Sequence, residues 1–378
     1  MLQIIIPTLI FTAFITILTA TLFFCYKHLT SKKEIKITIN NRIQVTAPAD
    51  ENLLSTIQQQ SILLPSSCGG KGTCGLCQCQ LSPAPHALPT EKSFLPQKEL
   101  NKGIRLACQQ QPAHNVKLTI PSYILNAQKM TATISKIIEL SPRIKEFTIG
   151  LDQTISYHPG DYILIEIPKF QIGAFKNSEA TNRAYSISSH PSEGNAEIKL
   201  TVTFAASPDR TLLPDGIGST WLFNQKEGNK IQLSGPFGEF HLQNTRSEKC
   251  FIGGGAGIAP LRSQILHKFL QKGHADKVTF WYGARDARSL VYEEEFNTLQ
   301  SHFKHFSYFA ALSESNKGRE ELPNSYIHTE VERYLKTHPA PEEIEFYLCG
   351  PALMIEATTQ MLTNIGVDEE NIYFDNFG

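Results

Sequence analysis

Neither sign of charge is in surplus: 35 Lys and Arg stand against 36 Asp and Glu, a formal net charge of −1 over 378 residues. That excludes the basic footprint by which a chain holds nucleic acid, and no acidic tail is present. No internal repeat and no long low-complexity tract occurs. With 41% hydrophobic and 19% charged residues the composition is that of a globular protein. Its length is too great for one ordinary domain, so two or three are expected.

The sharpest local absence is of charge altogether. Residues 2–26, LQIIIPTLIFTAFITILTATLFFCY, contain no ionisable acid or base of the Asp, Glu, Lys or Arg type. As a helix this run reaches roughly 37 Å at 1.5 Å per residue, enough to cross a hydrocarbon core with some tilt. A signal peptide is the competing reading. Against it, no Lys or Arg precedes the apolar run, and the run is too long for a signal h-region. Pro7 falls in the first turns, where its missing N–H costs little. Lys27, Lys32 and Lys33 follow before the first acidic residue, Glu34. By the positive-inside rule this flank and everything after it face the cytoplasm. A single membrane helix over 1–27 and a linker over 28–33 are expected ahead of a cytoplasmic body.

Cysteines number only eight, and four of them crowd into SSCGGKGTCGLCQCQ, residues 66–80: Cys68, Cys74, Cys77 and Cys79. Cytosolic thiols are kept reduced, so a disulfide framework is not expected and clustered cysteines point to metal or redox work. The second CxxC pair of a structural zinc site is missing, and no histidine stands at a suitable spacing. Cys68-x5-Cys74-x2-Cys77, completed by Cys108 in IRLACQQ, resembles the plant-type [2Fe–2S] spacing with one residue more in the first gap. Gly69, Gly70, Gly72 and Gly75 let backbone N–H groups approach the negative charge of such a cluster. Zinc, or no metal, are the other readings. Cys79 emerges on a strand leaving the loop and is expected to be a buried free thiol. Cys25 and Cys250 receive no role.

The texture of the chain changes twice. Residues 34–122 show alternation at Ile35, Ile37 and Ile39, an Asn-Asn turn, a second alternating run, a short helical pattern over Leu53–Gln60 and a closing strand, VKLTIP. This is compact α+β logic. Residues 123–247 carry short alternating runs between turn residues, which predict an antiparallel β-barrel or sandwich. Residues 248–378 alternate continuous apolar strands with helices, the pattern of a parallel α/β sheet.

Three motifs in these later segments can carry chemistry. In RAYS, Arg183 can neutralise a pyrophosphate, Tyr185 can lie flat on an isoalloxazine ring and Ser186 can hydrogen-bond a ring nitrogen. About thirty residues on, Gly218, Ser219 and Thr220 in DGIGSTWLF offer donors to phosphate at a helix start, although Ser or Thr there is also an ordinary cap. CFIGGGAGIAPLRS lacks the register of GxGxxG, yet Gly253, Gly254, Gly255, Ala256 and Gly257 allow a pyrophosphate to approach a helix N-terminus; a plain tight turn is the simpler reading. In FWYGARDARS, next to Arg285, Asp286 sits where an adenosine ribose would lie and would repel a 2′-phosphate, favouring NADH; it also reads as a solvated loop charge. Cys349, in YLCGPALM, ends a strand at the same edge, with core packing as its simpler reading. Phe377, in the closing YFDNFG, is a packing aromatic or a cover for a flavin face.

Taken in order, RAYS, DGIGST, SGPFGEF, GGGAGIAP, WYGAR and CGPALM resemble the ferredoxin–NADP⁺ reductase superfamily. With SCGGKGTCGLC, RLACQ, the terminal DNFG and one membrane span in front, the whole length is similar to the F subunits of the sodium-translocating NADH:quinone reductases. The resemblance implies a β-grasp [2Fe–2S] domain, an antiparallel β-barrel FAD domain and an α/β NADH domain behind a transmembrane helix. It implies that Cys68, Cys74, Cys77 and Cys108 hold the cluster. FAD would lie on Arg183, Tyr185, Ser186, Gly218, Ser219 and Thr220, with Phe377 stacked on its ring. NADH would be placed by the glycine turn 253–257, Arg285, Asp286, Cys349, Gly350 and Pro351. Ser186, Cys349 and Phe377 would attend the reacting rings, and Phe377 would have to swing aside for NADH. The implied setting is a bacterial inner membrane, with partner subunits of a quinone reductase complex and ubiquinone or a related quinone reached through them. Two features depart from the family: KFQIGAFKNSEATN before RAYS is short, and Asn376 stands where an Asp is usual. A membrane-anchored reductase feeding an oxygenase, and a redox-sensing or assembly subunit without turnover, are the competing functions.

Overall fold

The structure, a computed structural model, describes residues 2–29, 34–49, 51–173, 175–194, 196–207, 215–270 and 276–376. The chain divides into two compact units, Met1–Leu64 with Gly75–Ile120, and Pro65–Cys74 with Pro121–Gly378.

The first unit begins with α1 (Leu2–Leu29), which continues past the charge-free run. Ile6–Cys25 has a mean hydropathy of 2.1 and none of it is buried against protein. Thr12, Thr16 and Thr21 turn their hydroxyls back onto the carbonyls four residues earlier at 2.8, 2.7 and 2.7 Å. The threonine hydroxyls on this apolar surface are therefore satisfied within the helix, as a hydrocarbon environment requires.

β1 (Glu34–Ile39) and β2 (Ile43–Pro48) form an antiparallel hairpin. Asn40 and Asn41 at its turn have φ of 49° and 56°, the left-handed pair that Asn tolerates and a right-twisting hairpin needs. Ile35, Ile37 and Ile39 all point into the core. In the same unit, α2 (Leu53–Gln59) buries Leu53, Leu54 and Ile57, and its first turn is capped by Asn52 Oδ1 accepting from the N–H of Leu54 and Ser55. β3 (Gln78–Ser82), the short helices α3 (Pro89–Lys92) and α4 (Gln97–Asn101), β4 (Ile104–Leu106) and β5 (Val116–Thr119) complete the unit. The sheet order is β2-β1-β5-β3-β4, with β5 parallel to β1 and the other pairs antiparallel. This mixed sheet with its short helices has the α+β character expected of this part of the chain.

In the second unit, after α5 (Ser122–Asn126), come β6 (Gln128–Ser141), β7 (Ile144–Leu151), β8 (Tyr162–Ile167), a small hairpin of β9 (Phe170–Ile172) and β10 (Phe175–Asn177), then β11 (Thr181–Ser186), β12 (Glu197–Thr203), α6 (Ile217–Phe223) and β13 (Lys230–Phe237). Six of these strands make one antiparallel sheet, order β11-β8-β13-β6-β7-β12. An antiparallel bridge between Ile187 and Leu200 joins its two ends. Alternate residues such as Ile134, Phe147, Ile149, Ile163, Ile165 and Leu200 fill the interior.

The rest of the second unit is β14 (Lys249–Gly254), α7 (Ile258–Leu270), β15 (Val278–Ala284), α8 (Glu293–His302), β16 (Phe306–Leu312), α9 (Ile327–Leu335), β17 (Glu345–Gly350), α10 (Ala352–Ile365) and β18 (Ile372–Asn376). The sheet is wholly parallel in the order β16-β15-β14-β17-β18. Every residue of β14 and of β17 is buried, because helices cover both faces. The order reverses between β14 and β17, so the crevice at their carboxyl ends is where a doubly wound sheet takes its ligand.

Candidate cofactor sites

The cysteine loop builds a thiolate environment from backbone. Cys68 and Cys74 Sγ lie 3.4 Å apart. Burial alone would raise the Cys68 thiol, but the N–H groups of Thr73, Gly70 and Gly72 and the Cys74 thiol outweigh it and bring it down to about 7. A loop that stabilises a thiolate before any metal arrives fits a cluster of thiolate-bound iron.

In the first unit Cys77 and Cys108 are buried, and the Cys77 carbonyl accepts from Ala107 N at 2.8 Å. Asn52, the cap of α2, donates its Nδ2 to the Cys108 carbonyl at 2.5 Å. The fully buried Glu91 carboxylate accepts from Leu106 N and from Gln110 Nε2, each at 2.8 Å, and so clamps the chain on both sides of Cys108. Arg105 faces Glu91 at 3.9 Å and spends its other donors on the carbonyls of Pro85, Leu100 and Ile104. Sequence reading missed this pair, because the two residues meet only when the chain around Cys108 folds back onto α3. Cys79 is buried on β3, and burial followed by the Glu91 charge pushes its thiol far up. It has the properties of an inert core thiol.

On the barrel, β11 carries Arg183, Tyr185 and Ser186, and Gly218 at the start of α6 lies directly against Tyr185 and Arg183. The two expected motifs are thus in contact although more than thirty residues separate them. Arg183 Nη1 donates to the carbonyls of Ser67 (3.0 Å) and Asn182 (2.7 Å) and to Thr181 Oγ1 (2.8 Å). Ser219 in the first turn of α6 is held locally, its hydroxyl donating to Gly216 O and accepting from Ala205 N, both at 3.1 Å. Thr220 Oγ1 and Thr203 Oγ1 are buried with no protein partner. Such orphaned hydroxyls are costly unless a ligand meets them, so the residues fit a nucleotide cofactor.

On the parallel sheet the glycine turn 255–257 bridges β14 and α7, and a Cβ on Gly257 would strike the Cys349 carbonyl. Only glycine lets the turn pack onto the end of β17, which places it beside Cys349 and Gly350. Cys349 is fully buried, and burial with the nearby Asp375 charge pushes its thiol well up. Asp286 follows β15 and accepts from Ser289 Oγ at 2.8 Å; that bond and the Arg288 cation lower its carboxyl. Arg285 faces Glu314 at 3.6 Å on the surface. Pro351 caps α10. Phe377 lies outside the described residues.

One residue was not anticipated. Asp375 on β18 pairs in register with Cys349, which pairs in turn with Gly253. Burial pushes its carboxyl up to about 6, and the Ser186 hydroxyl beside it offsets part of that rise. Ser186, Cys349 and Asp375 therefore converge from the barrel and from two sheet strands. Asp375, Tyr162, Gly160, Gly238 and Phe240 line a cleft of about 280 Å³. An acid inside the apolar closing strand NIYFDNFG was the available signal.

These three regions match three domain families in the same order. Residues 37–113 match the 2Fe-2S iron-sulfur cluster binding domain, residues 131–242 the oxidoreductase FAD-binding domain and residues 251–360 the oxidoreductase NAD-binding domain. The chain is 35% identical to the F subunit of the Na(+)-translocating NADH-quinone reductase of Serratia proteamaculans, with 100% of both chains covered. The chain belongs to the family of these F subunits. Its counterparts in Pseudomonas paraeruginosa (35% identity, 97% of both chains) and Neisseria meningitidis (34%, 100% of both) agree. The motif-based resemblance is borne out, as are the three cofactor classes, which follow from the three matched domain families. In fold, the chain is similar to the Amycolatopsis cytochrome P450 reductase GcoB (TM-score 0.69, 21% identity, 91% of this chain and 98% of that one). It is also similar to a ferredoxin reductase of carbazole 1,9a-dioxygenase (TM-score 0.62, 25% identity, 92% and 99%). The chain thus has a ferredoxin-reductase-like fold, and its N-terminal apolar helix fits a membrane-anchored protein.

Proposed function

We propose that this chain is the electron-input subunit of a sodium-translocating NADH:quinone reductase, oxidising NADH on the cytoplasmic side of a bacterial inner membrane. The observation that carries this reading is the end-to-end match to three relatives of that name. When bound, FAD takes an electron pair as hydride and releases single electrons that a [2Fe–2S] centre can accept.

The chain's own residues supply binding and orientation. Cys68, Cys74, Cys77 and Cys108 hold the cluster; Asn52 and Glu91 fix the Cys108 segment. Arg183, Tyr185, Ser186 and the 218–220 helix start hold FAD, with Phe377 as its cover. The 253–257 turn, Arg285, Asp286, Cys349, Gly350 and Pro351 hold NADH, with Asp286 selecting against a 2′-phosphate. No general acid–base pair is required, and the buried Cys349 thiol stays protonated. Functional boundaries fall at 34–122, 123–247 and 248–378, and residues 2–26 anchor the chain to the membrane. The electrons leave to membrane subunits that reduce ubiquinone or a related quinone.

The test is purification of the tagged full-length chain from bacterial membranes. The expected outcome is co-purification with integral membrane subunits and NADH-dependent quinone reduction by the assembly. Co-purification with an oxygenase component, or NADH oxidation with no quinone reductase partner, contradicts the reading.

A further inference from the structure

Outside the regions assigned above, two imidazoles and one carboxylate meet where the turn before β8 packs on the segment after β13. Asp161, immediately before β8, is buried, with 7% of its side chain exposed; His241 is 35% and His158 77% exposed. His241 Nε2 lies 2.7 Å from Asp161 Oδ1, and His158 Nδ1 lies 3.9 Å from Oδ2. One potential ligand atom from each of the three residues falls within 4.8 Å of the others. The two rings stand 5.3 Å apart, tilted by 46°.

The backbone fixes this arrangement. His158 and Asp161 share one tight turn: Asp161 N donates to His158 O at 2.9 Å, and His158 N donates to Asp161 Oδ2 at 2.8 Å. Gly160 within that turn has φ +104°, and a Cβ there would collide with the carbonyl of Phe240, the residue before His241. The turn and the His241 segment are thereby pressed together without a side chain between them. Their closeness, across 80 residues of sequence, is built into the barrel.

We propose that His158, Asp161 and His241 form a three-ligand site for a divalent cation of the zinc class, with water completing the shell. Bonds of roughly 2.0–2.1 Å in a tetrahedral shell set neighbouring donors about 3.3 Å apart. His241 and Asp161 must open slightly from their hydrogen-bond distance, and the donors, which lie within 4.8 Å of one another, must close by up to about 1.5 Å through the exposed His158. The ion takes the Nε2 lone pair and a carboxylate oxygen, and the proton between them passes to solvent or to His241 Nδ1, leaving a neutral ring. Two imidazole donors favour zinc-class ions and disfavour Mg²⁺ and Ca²⁺, which prefer all-oxygen shells. The Asp161 carbonyl also accepts from Ile187 N at 2.9 Å, so the site is tied through one residue to Ser186.

The test uses the purified full chain carrying FAD and its cluster, freed of loose metal and equilibrated with Zn²⁺ at micromolar concentration. Zinc, iron and flavin contents are measured in the same samples for wild type, His158→Ala, His241→Ala and the double variant. The expected result is one zinc per wild-type chain that Mg²⁺ in excess does not displace. Each single variant should weaken binding at least tenfold, and the double variant should lose it with iron and flavin unchanged. Both histidines are at least partly exposed, so retained flavin and iron report intact folding. Absence of zinc uptake by the wild type overturns the proposal. Equal uptake by wild type and double variant does so too, since it puts the zinc elsewhere, for instance on displaced cluster cysteines.

Discussion

Replacing Asp375 by Asn isolates a group whose folded environment opposes its charge. Its carboxyl rises from an ordinary value of 3.8 to about 6, chiefly through burial. At about 1.36 kcal/mol per pH unit, a rise of roughly 2.2 units corresponds to about 3 kcal/mol. The sign follows from proton counting. Between the two values the folded state holds the proton and the unfolded state does not, so this contribution is complete below 3.8 and is lost as pH rises through about 6. Roughly 2 kcal/mol of the loss falls between about pH 4.5 and 8 by the same relation. Asn keeps the shape and cannot ionise. Thermal unfolding of both proteins across that pH range should show the variant gaining on the wild type, by roughly 4–8 °C from the acidic to the basic end. A difference in Tm that stays constant with pH would refute the assignment of a partly buried, reluctant carboxylate.

Four further outcomes follow from the site geometry. Cys108→Ser should lose the iron and the cluster signal, whereas Cys79→Ala should retain full iron content and cost about 2 kcal/mol or less of stability through a small cavity. Gly257→Ala forces a Cβ into the Cys349 carbonyl; NADH-dependent flavin reduction should fall at least tenfold while flavin content is unchanged. Asp286→Ala removes the charge that repels a 2′-phosphate, and the ratio of kcat/KM for NADPH over NADH should rise by about tenfold, roughly 1.4 kcal/mol. Glu91→Gln leaves the buried Arg105 uncompensated, so the protein should lose about 3 kcal/mol by thermal unfolding and release iron more readily.

What could be read along the chain was whatever short range decides. The charge-free run of α1, the Asn40-Asn41 turn and the alternation of Ile35, Ile37 and Ile39 are local patterns, and each formed the element it suggested. Continuous apolar runs gave β14 and β17 their buried place in a parallel sheet for the same reason. RAYS and the 218–220 helix start were legible as separate motifs, but their contact depends on barrel closure. Ser219 was read as a phosphate donor, and in the fold its hydroxyl also bridges Ala205 N and Gly216 O. Asp375 and Glu91 did not stand out because the enclosure of a carboxylate, partial for Asp375 and complete for Glu91, arises from tertiary packing. Glu91 lies in LPTEKSF, and its carboxylate is enclosed only when Leu106 and Gln110 fold onto it. The His158, Asp161 and His241 cluster is likewise assembled only when the turn before β8 meets the segment after β13.

The central claim is that one chain receives electrons from NADH at the parallel sheet and delivers them to its cysteine-held centre. Rapid mixing of the purified full chain with NADH, followed by freezing at successive times and electron paramagnetic resonance, tests it most directly. The account predicts that flavin absorbance bleaches first and a reduced [2Fe–2S] signal follows in the same chain, absent in Cys108→Ser. A flavin that bleaches while the wild-type cluster stays oxidised, or a cluster reduced with no prior loss of flavin absorbance, would contradict it.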